Sequence, residues 1–254
     1  MTIDCNVTLG HWPFHPLRHN TPEAFLGLMD REGIGRAWVA PFEAVFYKGV
    51  QPANRDLAAA LTGHGDRLLQ IAVIDPAFPG WEDDLAECAD LGLRGVRLYP
   101  SYHGYDAQHP GLLRLLEIVA AAGGFVQIVT RIQDERLHHP LAQVPPVDVQ
   151  GVARLAAGMP ELPMTLLNAA TAEVAAALKT ASPSNLTFDI SHVDGLGAVG
   201  KLARSVGAER LLFGSHAPFF IPRSAVLKMV EADLTPEQRM AVLQGNAERI
   251  GAQR

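Results

Sequence analysis

The feature that most narrows what this chain can become is a rhythm. Short apolar runs of five to seven residues recur eight times, at 3–8, 37–42, 68–74, 95–99, 125–130, 164–168, 186–190 and 210–214. They are rich in Val, Ile, Leu and Phe and lack strict polar alternation, as expected of strands buried on both faces of a parallel sheet. Between them, stretches at 22–32, 54–62, 81–91, 112–121, 149–157, 172–179, 196–206 and 223–231 carry apolar residues at helical spacing, such as Phe25, Leu26, Leu28 and Met29 in the first. Punctuation agrees. Thr21-Pro22 puts a hydroxyl cap before a first-turn proline, and Thr235 with Gln238 forms a capping box. Gly33, Gly92 and Gly207 stand where helices stop. Eight strand–helix units in 254 residues predict a single α/β domain over 1–254, a (β/α)8 TIM barrel. An open doubly wound sheet needs fewer strands.

Composition removes several function classes. Lys plus Arg number 21 against 27 Asp plus Glu, a net charge of −6, and no dense basic stretch exists to neutralise phosphates, so no nucleic-acid partner is expected. Nothing approaches the roughly 20 apolar residues of a membrane span. The start lacks the basic flank and apolar run of a signal peptide, which predicts a cytoplasmic protein. Cys5 and Cys88 are too few for a disulfide framework or a four-thiolate zinc site. Cys5 alternates away from Asn6 and is expected to face the helices, out of any chemistry.

In such a barrel the chemistry lies at the C-terminal strand ends. His216 follows the last run directly, and imidazole is a ready general base near neutral pH. The plainer alternative is a polar filler bonded to Asp4 or Asn6. Asp189 and His192 are placed to orient or charge-balance it, and a buried carboxylate needs a donor close by. Arg97 and Tyr99 share parity, and Ser101, Tyr102, His103 and Tyr105 line the next turn. Arg97 offers a planar fork for a carboxylate, with Arg131 as a second cationic contact, unless Arg97 is spent on an internal bridge to Asp75 or Asp4. Trp12 and Phe14 either roof the pocket or bury against a neighbouring loop. The excursion at 132–147 is long enough to be a lid or a proline-stiffened surface loop.

Three segments, IDCNVTLGHWPF, LLFGSHAPF and LTPEQRMAVLQGNAERIG, together with GVRLYPSYHGY in the middle, resemble the amidohydrolase-related family of metal-dependent hydrolases. The resemblance implies a TIM barrel and hydrolytic or decarboxylating chemistry on small molecules, with a homodimer as a family-level expectation. It also implies a metal site that this chain has lost. The family's first-strand His ligands correspond to Asn6 and Thr8, further His positions to Val129 and Asn168, and the eighth-strand Asp to His216. Neutral amide, hydroxyl and alkyl groups do not offset the dehydration of a hard divalent ion.

The reading is therefore an amidohydrolase-like enzyme without the usual metal pair, acting on a small carboxylated substrate by lactone, amide or ester cleavage or by decarboxylation. His216, Asp189 and His103 would be catalytic. Arg97, Tyr99, Arg131, Asn168, Asn6, Thr8 and His192 would bind substrate. No cofactor is expected, a single zinc on His103, His192 and His216 being the alternative. A non-catalytic barrel that binds a small anion or serves as an assembly subunit is the competing class.

Overall fold

The structure is a computed structural model that describes residues 1–141 and 143–252. All strands run parallel, in the order β1 (Thr2–Leu9), β2 (Ile34–Pro41), β3 (Leu68–Gln70), β4 (Ala72–Val73), β5 (Gly95–Leu98), β6 (Phe125–Val129), β7 (Met164–Leu167), β8 (Leu186–Asp189) and β9 (Leu211–Leu212). Backbone bonds join the two sheets into a barrel. Ile71 N donates to Val39 O at 2.8 Å, and Cys5 N and Thr8 N donate to Phe213 O and Ala217 O, each at 2.9 Å. β3 and β4 are one strand of the eight, interrupted at Ile71. Beyond it the Asn54 carboxamide takes both polar groups of Val73, accepting from its N at 2.9 Å and donating to its O at 2.8 Å.

The helices pack outside: α1 (Pro22–Glu32), α2 (Gln51–Ala60), α3 (Trp81–Asp90), α4 (Pro100–His103), α5 (Pro110–Ala121), α6 (Val149–Gly158), α7 (Thr171–Thr180), α8 (Ala198–Val206), α9 (Pro222–Glu231), α10 (Pro236–Met240) and α11 (Asn246–Gly251). Thr21 caps α1, and Thr235 and Gln238 close their box on α10, as the sequence predicts. α2 begins three residues before the expected 54, because Gln51-Pro52 supplies a first turn that periodicity alone does not reveal.

Alternate strand residues sort into two cores. Ala37, Val39, Val96, Leu98, Val126, Ile128, Leu166 and Phe188 face the helices. Ile3, Trp38, Ile71, Tyr99, Phe125, Val129, Leu167 and Leu212 fill the bore. Phe125 stacks near Trp38 with ring centroids 4.8 Å apart. Gly95 makes room for this floor, since a Cβ there would lie 2.5 Å from Phe125 and 2.8 Å from Ile71. Cys5 groups with the bore rather than with the helices, contrary to expectation. The β1–β2 register slips between Asp4 and Val7, so simple alternation fails there and Cys5 and Asn6 both turn inward. Burial pushes the Cys5 thiol well above its usual range, so it is inert all the same.

Candidate functional site

Above the floor sits a polar belt. Arg97 on β5 is wholly buried, and its fork is spent internally. Nε donates to Gln127 Oε1 at 2.9 Å, Nη1 to Val7 O at 2.8 Å and Thr8 Oγ1 at 3.0 Å, and Nη2 to Cys5 O at 3.2 Å. The expectation of a presented carboxylate fork is thus corrected, and so is the alternative of a bridge to Asp75 or Asp4. Arg97 instead ties β5 and β6 to the carbonyls that the slipped register of β1 turns inward. Gln127, which sequence reasoning missed, is its neighbour across the strand pair and also donates to Cys5 O at 2.8 Å. The only signal was a polar residue at an inward position of a fully buried strand.

At the C-terminal strand ends a second network forms, and its directions are fixed. The Asn168 Nδ2 donates to Arg131 O at 2.6 Å, which orients the carboxamide and leaves Oδ1 as acceptor. Oδ1 receives Asn6 Nδ2 at 2.7 Å and Ser191 Oγ at 2.8 Å. Asn6 Nδ2 also donates to Asp189 Oδ2 at 3.0 Å, while the Asn168 amide donates to Asp189 Oδ1 at 2.7 Å. Asp189 therefore has the donors it needs, all neutral, and burial raises its pKa. Asn168 Nδ2 meets His216 Nδ1 at 3.3 Å, and His216 Nε2 donates to Ile132 O at 2.6 Å. Both nitrogens of His216 are engaged, and burial, with help from neighbouring His192, pushes its pKa down to about 3. The expected ready base at neutral pH is corrected to a neutral, doubly bonded imidazole.

Ser191 Oγ also contacts His192 Nδ1 at 3.2 Å. Because the hydroxyl proton goes to Asn168, His192 donates from Nδ1, and its Nε2 has no hydrogen-bond partner among the described residues. Burial, then Arg131 and Lys228, lower its pKa to about 4. Lys228 on α9 braces this turn from behind, with Nζ 2.6 Å from Ser191 O and 2.9 Å from Asp194. Beside the network, Asp4 accepts from Ser215 Oγ at 2.5 Å, and burial raises its pKa to about 6. Asn168 and His216 hold left-handed backbone conformations, φ 62° and 57°, a strain that clusters at working sites. Gly214 is required by close approach, because a Cβ there would fall 2.4 Å from Asp189 Oδ2.

A roof of rings covers this floor. Trp12 packs against Phe14, Phe42, Phe46 and Phe219 with centroids 5.1 to 5.5 Å apart. His216 contacts Phe219 and Phe220, and His192 lies 4.9 Å from Phe220. The long loop joins the roof where His139 stacks on Phe14 at 5.1 Å. Tyr99 is buried in the bore top, 6.5 Å from Tyr102. Arg131 pairs with Glu173, and its Nε is buried without a partner. His103 does not join the network. Its Nε2 meets Ala44 O at 2.9 Å, its Nδ1 faces Asp75 at 3.9 Å, and burial lowers its pKa. The structure thus brings together Asn6, Asn168, Asp189, His192 and His216, with Arg131 at their edge, and leaves Arg97, Thr8 and His103 apart. Ser191, an unremarkable residue between Asp189 and His192, is the link that sequence did not single out.

The donor chemistry does not suit a hard divalent ion. Asn6 and Asn168 offer only neutral carboxamide oxygens, that of Asn168 already accepting from Asn6 and Ser191, Val129 has no donor, and His216 uses both nitrogens. Among the described residues no group of three or more His, Cys, Asp or Glu converges as a metal cage, and of the zinc alternative's three histidines His192 and His216 are neighbours while His103 turns to Ala44 and Asp75. No helix of the described residues is long and apolar enough to cross a membrane.

Among solved structures the chain is similar to an uncharacterized TIM-barrel protein from Bordetella bronchiseptica, at 18% identity and a TM-score of 0.77, covering 99% of this chain and 98% of that one. It is also similar to a dihydroxybenzoic acid decarboxylase from Polaromonas with bound manganese and 2-nitroresorcinol, at 16% identity, TM-score 0.76 and coverage of 98% and 96%. A third is a probable 2-pyrone-4,6-dicarboxylic acid hydrolase from Acinetobacter baumannii with citric acid bound, at 12% identity, TM-score 0.69 and coverage of 98% on both sides. No curated protein matches the sequence. The amidohydrolase family profile matches residues 9–250, from the end of β1 to the last helix, so this chain belongs to the amidohydrolase family.

Proposed function

We propose that this barrel hydrolyses a lactone, ester or amide bond in a small, planar, carboxylated substrate held between the aromatic roof and the Asn6–Asn168–Asp189 floor. The observation that carries the reading is Arg131 at the edge of that floor. Its Nε is a buried donor with no partner, which an arriving carboxylate would satisfy. Arg131 and Lys228 both bear on His192, each already paired, to Glu173 and Asp194, so the attraction for an anion comes from the open Arg131 Nε. Trp12, Phe219 and Phe220 provide flat apolar walls for a ring. Similar barrels carry names with carboxylated rings, a dihydroxybenzoic acid and a pyrone dicarboxylic acid, which supports the same substrate class. No step is routed through a metal, because the donor set does not fit one.

The test is turnover of 2-pyrone-4,6-dicarboxylate and 2,6-dihydroxybenzoate, followed by loss of ring absorbance. Cleavage of the pyrone is expected, with Arg131→Met raising KM about 10- to 100-fold through loss of a charge-assisted contact of about 1.5–3 kcal/mol. Consumption of the benzoate with release of carbon dioxide would favour decarboxylation at the same site. Thermal stabilisation by both acids with no turnover of either would replace the enzyme by the anion-binding barrel.

A further inference from the structure

We propose that His192, through Nε2, is the catalytic residue that moves the proton in this site, and that Ser191 is its positioning residue. The inference rests on the hydrolytic reading above and assigns a role that neither the strand-end rule nor the family resemblance gives to this position.

Hydrogen-bond direction singles out His192. Four side chains at the mouth have nitrogen atoms suited to proton traffic or polarisation, and three of them are closed. Asn6 Nδ2 is shared between Asn168 Oδ1 and Asp189 Oδ2. Asn168 Nδ2 is shared between Arg131 O and His216 Nδ1. His216 Nε2 is fixed on Ile132 O. His192 differs: the Arg131 carbonyl orients Asn168, Asn168 Oδ1 takes the Ser191 proton, and Ser191 Oγ then takes the proton of His192 Nδ1. The chain ends by leaving a lone pair on His192 Nε2. The ring is half-buried, lies 5.6 Å from His216 and 4.9 Å from Phe220, and so borders the proposed substrate space.

The step balances without a further reactant. Nε2 takes a proton from water as the water oxygen bonds to the acyl carbon, and the carbonyl pair moves onto its oxygen. Collapse of that adduct breaks the bond to the leaving oxygen or nitrogen, which receives the proton back from Nε2. The charged groups that bear on His192 are Arg131 after β6, paired to Glu173, and Lys228 on α9, paired to Asp194, with His216 beside it. A substrate carboxylate on the open Arg131 Nε adds a negative charge beside the ring, so the base strengthens when the site is filled.

The experiment pairs a substrate-free readout with a kinetic one. Nitrogen-15 NMR of the wild-type chain should find the His192 proton on Nδ1 and the His216 proton on Nε2. A His192 proton on Nε2 would overturn the proposal whatever the substrate. With 2-pyrone-4,6-dicarboxylate, His192→Gln should lose about 10²–10⁴ in kcat with KM within threefold. Ser191→Ala should lose less, shift the acid limb of the pH profile and move the His192 tautomer signal, which a merely structural defect would not do. Wild-type turnover with His192→Gln within threefold would sink the proposal and leave the hydrolytic reading standing. Failure of the wild type on every carboxylated probe would remove that reading and the proposal with it.

Discussion

The bore and the mouth of this barrel are both buried and both polar, yet they spend their hydrogen bonds differently. In the bore a cation, Arg97, faces backbone carbonyls, a hydroxyl and an amide oxygen, and every interaction runs from the side chain into the fold. At the mouth, donation runs from His192 through the Ser191 hydroxyl, and from Asn6, onto the Asn168 carboxamide, and the outer nitrogen of His192 is left open. A closed set of partners stabilises and an open-ended one can act on a ligand. The distinction lies in direction, and burial alone does not reveal it.

The largest effect that would break this comparison is at Arg97. Arg97→Met keeps much of the volume but strips donors from Val7 O, Thr8 Oγ1 and Gln127 Oε1 together. The expected loss is about 3–5 kcal/mol, read as a lower midpoint in urea. If Arg97→Met unfolded at the wild-type midpoint but lost substrate affinity, the bore would belong to the site after all.

Asp4 gives the next largest effect, and its sign is opposite. Its folded pKa of about 6 lies above the ordinary value of 3.8, so its stability contribution is complete below about pH 4 and is lost as pH rises through 6. His192 and His216 run the other way. Their folded values of about 4 and 3 lie below 6.5, so their contribution is complete above pH 6.5 and is lost on acidification. Asp4→Asn should therefore gain up to about 3 kcal/mol at pH 7, by about 1.4 kcal/mol per pKa unit. The gain should vanish by pH 4, leaving a steeper acid loss than in the wild type. Denaturation midpoints between pH 4 and 7.5 check this, and a pH-independent difference would refute it.

Much of the fold was legible because it depends on local patterns. Both-faces-apolar runs, a threonine before proline and a glycine after a helix each say where an element begins or ends, and α1 and α10 follow them closely. Of the site, the strand-end rule pointed to Asn6, Asn168, Asp189, His192 and His216, since it needs only the end of each run and the residues just after it. It failed where depth or register matters. Arg97 and Tyr99 were rightly given one parity, but which layer of the bore a residue occupies depends on the tilt and stagger of strands far apart in sequence. The register slip in β1 reversed the side assigned to Cys5. Gln127 and Ser191 belong to no motif and acquire meaning only from partners 30 and 23 residues away.

Gly214 sharpens the contrast at a smaller scale. A methyl group there meets the Asp189 carboxylate, which is itself held by Asn6 and two backbone amides, so the carboxylate cannot move without releasing the floor. Gly214→Ala should cost about 1–3 kcal/mol by overpacking and lower kcat as well, since the strain falls on the mouth. A loss of stability with full activity would mean that Asp189 is not part of the working floor.

The smallest expected effect tests whether the polar belt of the bore is structural throughout. Thr165 and Thr187 face each other across β7 and β8, with hydroxyls 2.9 Å apart, and Thr187 Oγ1 also donates to Met164 O at 3.1 Å. Thr187→Val removes one hydroxyl without changing the shape of the side chain. Met164 O keeps a second lone pair for other contacts, and Thr165 loses a partner it can replace by rotation. The cost should be about 1 kcal/mol, the worth of one neutral hydrogen bond, with kcat and KM unchanged. A kinetic effect from this position would mean that the bore transmits strain to the mouth above it, and the separation between a closed and an open-ended polar region would have to be redrawn at Asp189, where β8 joins the two.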